Sequence, residues 1–212
     1  MSVSEAIGRQ LAHPRGLGGW LTGQVMRVAN RRPTALAIEA LAPRPGDIVL
    51  DLGCGAGDAL ATLERGARPG IVYGMDRSLA MLAQARARNG RAIRAGTIVL
   101  TEGSFENLPY PDASFDRIMA SNVVYFWRDP ELVMREILRI LKPGGRLALY
   151  ATDGADMANW SFVKTGTHRL YDRQALDRML AGSLKRGSFR IDRVPIGFGN
   201  HGLVARVDRA KV

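Results

Sequence analysis

The run Val49-Leu50-Asp51-Leu52-Gly53-Cys54-Gly55-Ala56-Gly57 leaves the chain few choices of architecture. An apolar β-rich stretch passes directly into three alternating glycines, and a helical pattern follows. Glycine lacks Cβ, so it adopts positive φ at little cost and lets another group approach the backbone closely. The first N–H groups of a helix have no intrahelical partner and can meet a polar ligand. The sequence therefore places a strand, a turn open to a ligand, and a helix in immediate succession.

From Asp47 onward this unit is repeated. Short apolar runs at Ile48 to Leu52, Ile71 to Met75, Ile98 to Thr101, Phe115 to Ala120 and Arg146 to Tyr150 alternate with segments of helical period, the pattern of βαβ units around a parallel sheet. Ser78 is placed to cap a helix carrying Leu79, Met81, Leu82 and Ala85, which Asn89-Gly90 is expected to end. Val133, Ile137 and Leu141, with Met134 and Leu138 beside them, mark another helix that Lys142-Pro143-Gly144-Gly145 stops. After a polar stretch from Thr152 to His168, a helix is expected over Asp172 to Ala181. The runs Ser188 to Val194 and Leu203 to Val207 then form an antiparallel hairpin across the turn-rich segment Pro195 to Gly202. The expectation is a doubly wound α/β fold with a seven-stranded, mostly parallel sheet, an antiparallel C-terminal hairpin and N-terminal helices.

Ahead of the first strand, Leu17, Trp20, Leu21, Val25 and Val28 mark one face of a helix, with Gln24, Arg27, Asn30 and Arg31 on the other. Residues 1–44 are accordingly read as an N-terminal helical lid or cap, and residues 45–212 as the main domain. Met1 to Ala12 lacks the layout of a secretion signal and no stretch reaches the roughly 20 apolar residues of a membrane span, so a cytoplasmic location is expected. A single cysteine allows no internal disulfide and no cysteine-based zinc cluster. The 30 Lys and Arg residues against 20 Asp and Glu give a net charge of +10. Without a dense basic run, that surplus reads first as a solvated surface.

The second element of the candidate site is Asp76, at the end of Tyr73-Gly74-Met75-Asp76-Arg77-Ser78. A carboxylate on the order of 20 residues beyond such glycines is placed to accept ribose hydroxyls. Ser78 already supplies the cap of the following helix, which frees Asp76 for a ligand.

With these residues in place the chain resembles the class I S-adenosylmethionine-dependent methyltransferases of the small-molecule type. The resemblance is close over roughly Pro45 to Tyr150 and looser over Tyr171 to Phe189. Its motifs run in order: Val49 to Gly57, Gly74-Met75-Asp76, Glu102-Gly103-Ser104-Phe105-Glu106-Asn107-Leu108-Pro109, Ser114-Phe115-Asp116, and Leu141-Lys142-Pro143-Gly144-Gly145. It implies S-adenosyl-L-methionine as cofactor. Gly53, Gly55 and Gly57 would wall its methionine and ribose portion, with Cys54 between them counted in the turn but read as a small buried filler. Asp51 would sit near the amino group, Asp76 at the ribose, and Arg77 on one side of the adenine with Ser104 and Phe105 on the other. The family commonly has an aspartate where Ser104 stands, and a hydroxyl can still accept a hydrogen bond there. Ser121 to Trp127 resembles the stretch lining the methyl-transfer pocket, with Asn122 as the contact candidate; Phe126 and Trp127 read equally well as core.

In-line transfer from a sulfonium gains much of its acceleration from geometry and needs no nucleophile of the protein. An acceptor that must lose a proton profits from a base, for which Tyr125, Asp153, His168 and His201 stand nearest in the chain. His13, His168 and His201 show no paired ligand spacing, so no metal site is expected.

A small-molecule acceptor is the leading reading. The tetrapeptide typical of nucleic-acid amino-methylating enzymes is absent where Asn122-Val123-Val124-Tyr125 stands, which argues against a nucleic-acid partner. The basic N-terminal helix leaves open peripheral contact with a membrane and a lipid-headgroup acceptor. An NAD(P)-dependent oxidoreductase, whose glycines read G-x-G-x-x-G, and a non-catalytic binding module are the remaining alternatives. No pattern in the chain sets its oligomeric state.

Overall fold

A computed structural model of the chain describes residues 30–157, 169–184, 187–197 and 199–211. The amphipathic helix expected from Leu17, with its lid or membrane role, lies outside the described residues except for its last two positions, as does His168.

The described chain opens with helix α1 (Arg31–Leu41), followed by β1 (Val49–Leu52), α2 (Leu60–Ala67), β2 (Val72–Asp76), α3 (Leu79–Arg94), β3 (Ile98–Glu102) and β4 (Phe115–Ser121). A 3-10 turn (Val124–Phe126) leads into α4 (Pro130–Ile140) and β5 (Leu141–Thr152). A short helix α5 (Gly154–Met157), helix α6 (Arg173–Ser183) and strands β6 (Phe189–Gly197) and β7 (Asn200–Asp208) complete it. The seven strands form one sheet in the order β3-β2-β1-β4-β5-β7-β6. Pairs among β1 to β5 are parallel, and β7 runs antiparallel to both β5 and β6.

Side-chain alternation sorts the sheet into two apolar layers. Leu50, Leu52, Ile118, Leu147 and Leu149 point to the face covered by Val133, Met134 and Ile137 of α4 and by Leu176 and Leu180 of α6. Val49, Val72, Met119, Ala148 and Tyr150 point to the opposite face, against Ala37 and Leu41 of α1, Leu60 and Leu63 of α2 and Leu82 of α3. Cover on both faces explains why β1 is wholly apolar or buried rather than alternating. Helix α1 packs on β4, β5 and β7, so residues at the end of the N-terminal segment join the core of the sheet.

Leu141, expected in the helix, opens β5 instead, and Lys142-Pro143-Gly144-Gly145 lies within that strand. Two other boundaries differ from the expected ones for identifiable reasons. Asn89-Gly90 does not end α3: the helix kinks at Asn89 (φ −108°, ψ 18°) and runs on to Arg94. The Asn89 side chain is buried and donates to the carbonyls of Gly57 at 3.1 Å and Ala85 at 3.0 Å, so its polar groups are satisfied without a helix terminus. The C-terminal hairpin turns more tightly than expected, since Pro195 pairs with His201 and Gly197 with Asn200. Gly197 and Gly199 take positive φ and make the reversal, while Pro195 is tolerated on the edge strand β6.

The strand order reverses between β1 and β4. Ligands of open α/β sheets bind beyond the carboxyl ends of the strands at such a switch point, and the glycine turn lies there.

Candidate functional site

The turn after β1 is built around its glycines. The N–H groups of Gly53 and Cys54 both donate to the carbonyl of Met75, at 2.8 and 2.9 Å, tying the turn to β2. A Cβ at Gly53 (φ +80°) would stand 2.3 Å from Val123 Cγ1, and one at Gly57 (φ +75°) would stand 2.8 Å from Ala85 Cβ and from Asn89 Nδ2. Those two positions need glycine because of the protein's own packing. Gly55 (φ +52°) has nothing within 4 Å of its missing Cβ and faces open space. Cys54 is buried, and burial, reinforced by Asp51 and Asp76, drives its thiol far above the ordinary range. A buried thiol of this kind holds its proton and packs as a small apolar side chain.

Two carboxylates border this opening. Asp51, the third residue of β1, is 3% exposed. Burial, and after it the charge of Asp76, pushes its carboxyl up to about 7. Asp76 ends β2, where its Oδ2 accepts the Gly55 N–H and its Oδ1 accepts the Ser78 N–H, each at 2.9 Å. Burial raises its pKa, against the pull of those N–H groups and of Arg77. Ser78 itself caps α3, its hydroxyl accepting from Met81 N at 3.4 Å. The carboxyl edge of β1 and β2 thus stores negative charge in a poorly solvated place, which favours a cationic guest.

Beside Asp76 lies a cavity of about 190 Å³ lined by Arg77, Ser104, Phe105, Glu106, Phe126 and Arg128. The Arg77 guanidinium stands 5.8 Å from the centre of the Phe126 ring, in cation–π range. Phe105 is buried beneath Gly53. The Ser104 hydroxyl donates to Glu106. Although burial opposes it, this bond, together with the Arg128 side, holds the Glu106 carboxyl below its usual value. The structure thus brings Arg77, Ser104 and Phe105 to one hollow, and adds Glu106, a residue of the same motif that carried no expected role, and Arg128, which no motif contains.

At the carboxyl end of β4, Asn122 adopts φ +56° and donates its N–H to the Tyr150 carbonyl at 2.9 Å. Its Nδ2 donates to Asn30 Oδ1 at 3.0 Å, and its Oδ1 accepts the Tyr125 hydroxyl at 3.1 Å. That hydroxyl in turn accepts the Thr152 N–H at 2.5 Å. Burial drives the Tyr125 phenol well above its ordinary range, and its hydroxyl links Asn122 beyond β4 to Thr152 of β5. Trp127 is 2% exposed within the core, whereas Phe126 is only partly buried at the cavity. Asp153, just beyond β5, is 3% exposed and paired with Arg193 at 2.6 Å. His201, at the start of β7, pairs with Asp156 of α5.

Residues 50–149 match a family described as a methyltransferase domain. The chain is 40% identical over 119 residues to a 2-phytyl-1,4-naphtoquinone methyltransferase of Synechococcus elongatus, covering 54% of this chain and 49% of that protein. It is 36% identical over 121 residues to a 27-O-demethylrifamycin SV methyltransferase of Amycolatopsis mediterranei, covering 57% and 44%. The chain spans about half the length of these curated relatives. Its fold is shared with the crystal structure of an S-adenosylmethionine-dependent methyltransferase from Aquifex aeolicus, at a TM-score of 0.68, 21% identity and coverage of 85% of this chain and 92% of that one. The matched stretch runs from β1 into β5 and includes the carboxyl ends of β1, β2, β3 and β4, so this part of the chain is similar to methyltransferase domains in sequence and shares the fold of an S-adenosylmethionine-dependent methyltransferase.

Proposed function

We propose that the domain binds S-adenosylmethionine across the carboxyl ends of β1, β2 and β4 and passes its methyl group to a small-molecule acceptor. The observation that carries this reading is the buried Asp51 beside Asp76, a negative pocket at the mouth of a turn whose Gly55 opens onto free space. The donor set fits the cofactor. Asp51 receives the amino acid's ammonium group, and Asp76 has lone pairs left for ribose hydroxyls after taking two N–H groups. Arg77, Phe105 and Phe126 offer flat and apolar surface to the adenine, with Ser104 and Glu106 as polar partners.

When bound, S-adenosylmethionine supplies an electrophilic methyl carbon on a sulfonium. The chain's task is then to hold donor and acceptor in line, which accounts for a large part of such an acceleration without a protein nucleophile. Asn122, fixed by Tyr125 and Asn30, borders the acceptor side. The names of the quinone and rifamycin relatives support an acceptor of metabolite size. Among the described residues no helix is long and apolar enough to cross a membrane.

Isothermal titration of the protein with S-adenosylhomocysteine and, separately, with NADPH tests the reading. Saturable binding of the former alone is expected. Binding of the nicotinamide alone, or of neither, would overturn it.

A further inference from the structure

Of the four side chains that the sequence places near the acceptor as bases, the structure equips one. Tyr125 is buried between Asn122 and Thr152, Asp153 is buried and paired with Arg193, and His168 lies outside the described residues. His201 differs in both placement and partners. Because β7 runs antiparallel to β5, its first residues stand at the carboxyl end of β5, with Gly202 opposite Thr152. The Asp153 N–H donates to the His201 carbonyl at 2.9 Å, and Thr152 is the residue that Tyr125 braces to Asn122. His201 is thus two strands from Asn122, roughly 10 Å at the usual strand spacing, a span that a molecule of metabolite size bridges.

Its ring is oriented. Asp156 Oδ2 accepts the His201 main-chain N–H at 2.6 Å and lies 3.0 Å from His201 Nδ1, so one carboxylate oxygen fixes both the strand and the imidazole. Asp156 is held in turn by Arg193, whose Nη2 lies 3.5 Å from Oδ1 while its Nε donates to Asp153. A carboxylate on Nδ1 keeps the proton there and leaves Nε2 as the basic nitrogen. Among the described residues nothing takes Nε2, and the side chain is 30% exposed. Among the described residues, the charged groups tied to the ring are Asp156 from α5 and, through Asp156, Arg193 from β6 and its partner Asp153 beyond β5.

Resting on the methyl-transfer reading above, we infer that His201, oriented by Asp156, is the general base of the reaction and that the acceptor carries a weakly acidic hydroxyl of the phenol or hydroquinone type. The acceptor O–H bond breaks with its proton passing to His201 Nε2 and its electron pair staying on oxygen. That oxygen forms a bond to the methyl carbon as the carbon–sulfur pair withdraws onto sulfur, and the imidazolium later yields its proton to water. Asp156 acts as a positioning residue through His201.

Two measurements on the full chain test this. Long-range 1H–15N NMR of the three histidines, with His201→Gln assigning the signal, is expected to show neutral His201 protonated on Nδ1, and Asp156→Asn to lose that preference. A proton on Nε2 overturns the inference whatever the acceptor. In parallel, transfer of tritiated methyl from S-adenosylmethionine to catechol and to 1,4-dihydroxynaphthalene is followed against pH. H201Q is expected to lower kcat roughly 10²-fold or more and to remove the ascending limb of the kcat–pH profile. Its affinity for S-adenosylhomocysteine is expected to stay that of the parent. An unchanged limb overturns the inference, whereas failure of the parent protein to bind S-adenosylhomocysteine strikes the cofactor reading instead.

Discussion

Replacing Asp51 by Asn tests whether the β1 carboxylate is held at a cost that the ligand relieves. Its carboxyl is pushed from an ordinary 3.8 to about 7, chiefly by burial and then by Asp76. Between those values the folded protein holds a proton that the unfolded chain has released. Stability therefore falls as pH rises from about 4 to about 7 and stays reduced above, while below 3.8 both states are protonated and the penalty vanishes. A displacement of that size corresponds to an upper bound on the order of 4 kcal/mol. An Asn must still bury its own amide, which halves the gain to about 2 kcal/mol. For a domain of this length that raises Tm by about 4 to 8 °C. The assay is thermal unfolding of D51N and parent at pH 4 and pH 8, with calorimetry of S-adenosylhomocysteine at both. The stability advantage of D51N is expected at pH 8 and much smaller at pH 4, together with weaker ligand binding at pH 8. If D51N unfolds below the parent at pH 8 in the absence of ligand, or binds the ligand as tightly, the carboxylate is not the strained anion the structure describes.

Two further substitutions probe the surrounding frame. Gly53→Ala combines φ +80° with a Cβ placed 2.3 Å from Val123 Cγ1, so a loss of about 2 kcal/mol or more in urea unfolding and abolished ligand binding are expected. An unaltered midpoint would mean that Val123 yields freely. Tyr125→Phe leaves the Thr152 N–H without its acceptor and frees Asn122, with an expected loss of about 1 to 3 kcal/mol in urea unfolding and little change in S-adenosylhomocysteine affinity. A variant with reduced cofactor affinity and parental stability would assign the tyrosine to the cofactor rather than to the link between Asn122 and Thr152.

The parts of the fold legible in the sequence were those fixed by local physics. The apolar runs of β1 to β4 and the periodic face of α4, which Asp129 caps through Leu132 N at 3.0 Å, need no knowledge of distant partners. Asn89 shows where that logic stops. Asn-Gly is a helix-ending pair by local preference, but a carbonyl of the glycine turn 32 residues away takes the Asn89 amide, and the helix continues. The same holds at the site. Asp76 and the glycines announce themselves because strand, turn and acid lie close along the chain. By contrast, Arg128 reaches the cavity of Ser104 and Phe105 from a separate loop, and Asp156 meets His201 across 45 residues, with no spacing that betrays either meeting.

The antiparallel β7 gives the C-terminal hairpin a second consequence. A parallel sheet presents only the carboxyl ends of its strands at the ligand edge, so each parallel strand offers the residues at its end. By inserting β7 in reverse between β5 and β6, the chain brings the beginning of a strand, His201, to that same edge, where α5 immediately after β5 supplies Asp156. The acids of the cofactor side arise from β1 and β2, on one flank of the switch point, and the His201–Asp156 pair from β7 and α5 on the other. On the proposed reading, donor and acceptor sides come from different halves of the sheet, joined through Asn122, Tyr125 and Thr152. Substitutions on one flank should leave the other's ligand affinity unchanged to within the few tenths of a kcal/mol expected of independent sites, whereas changes in the connecting trio should couple them.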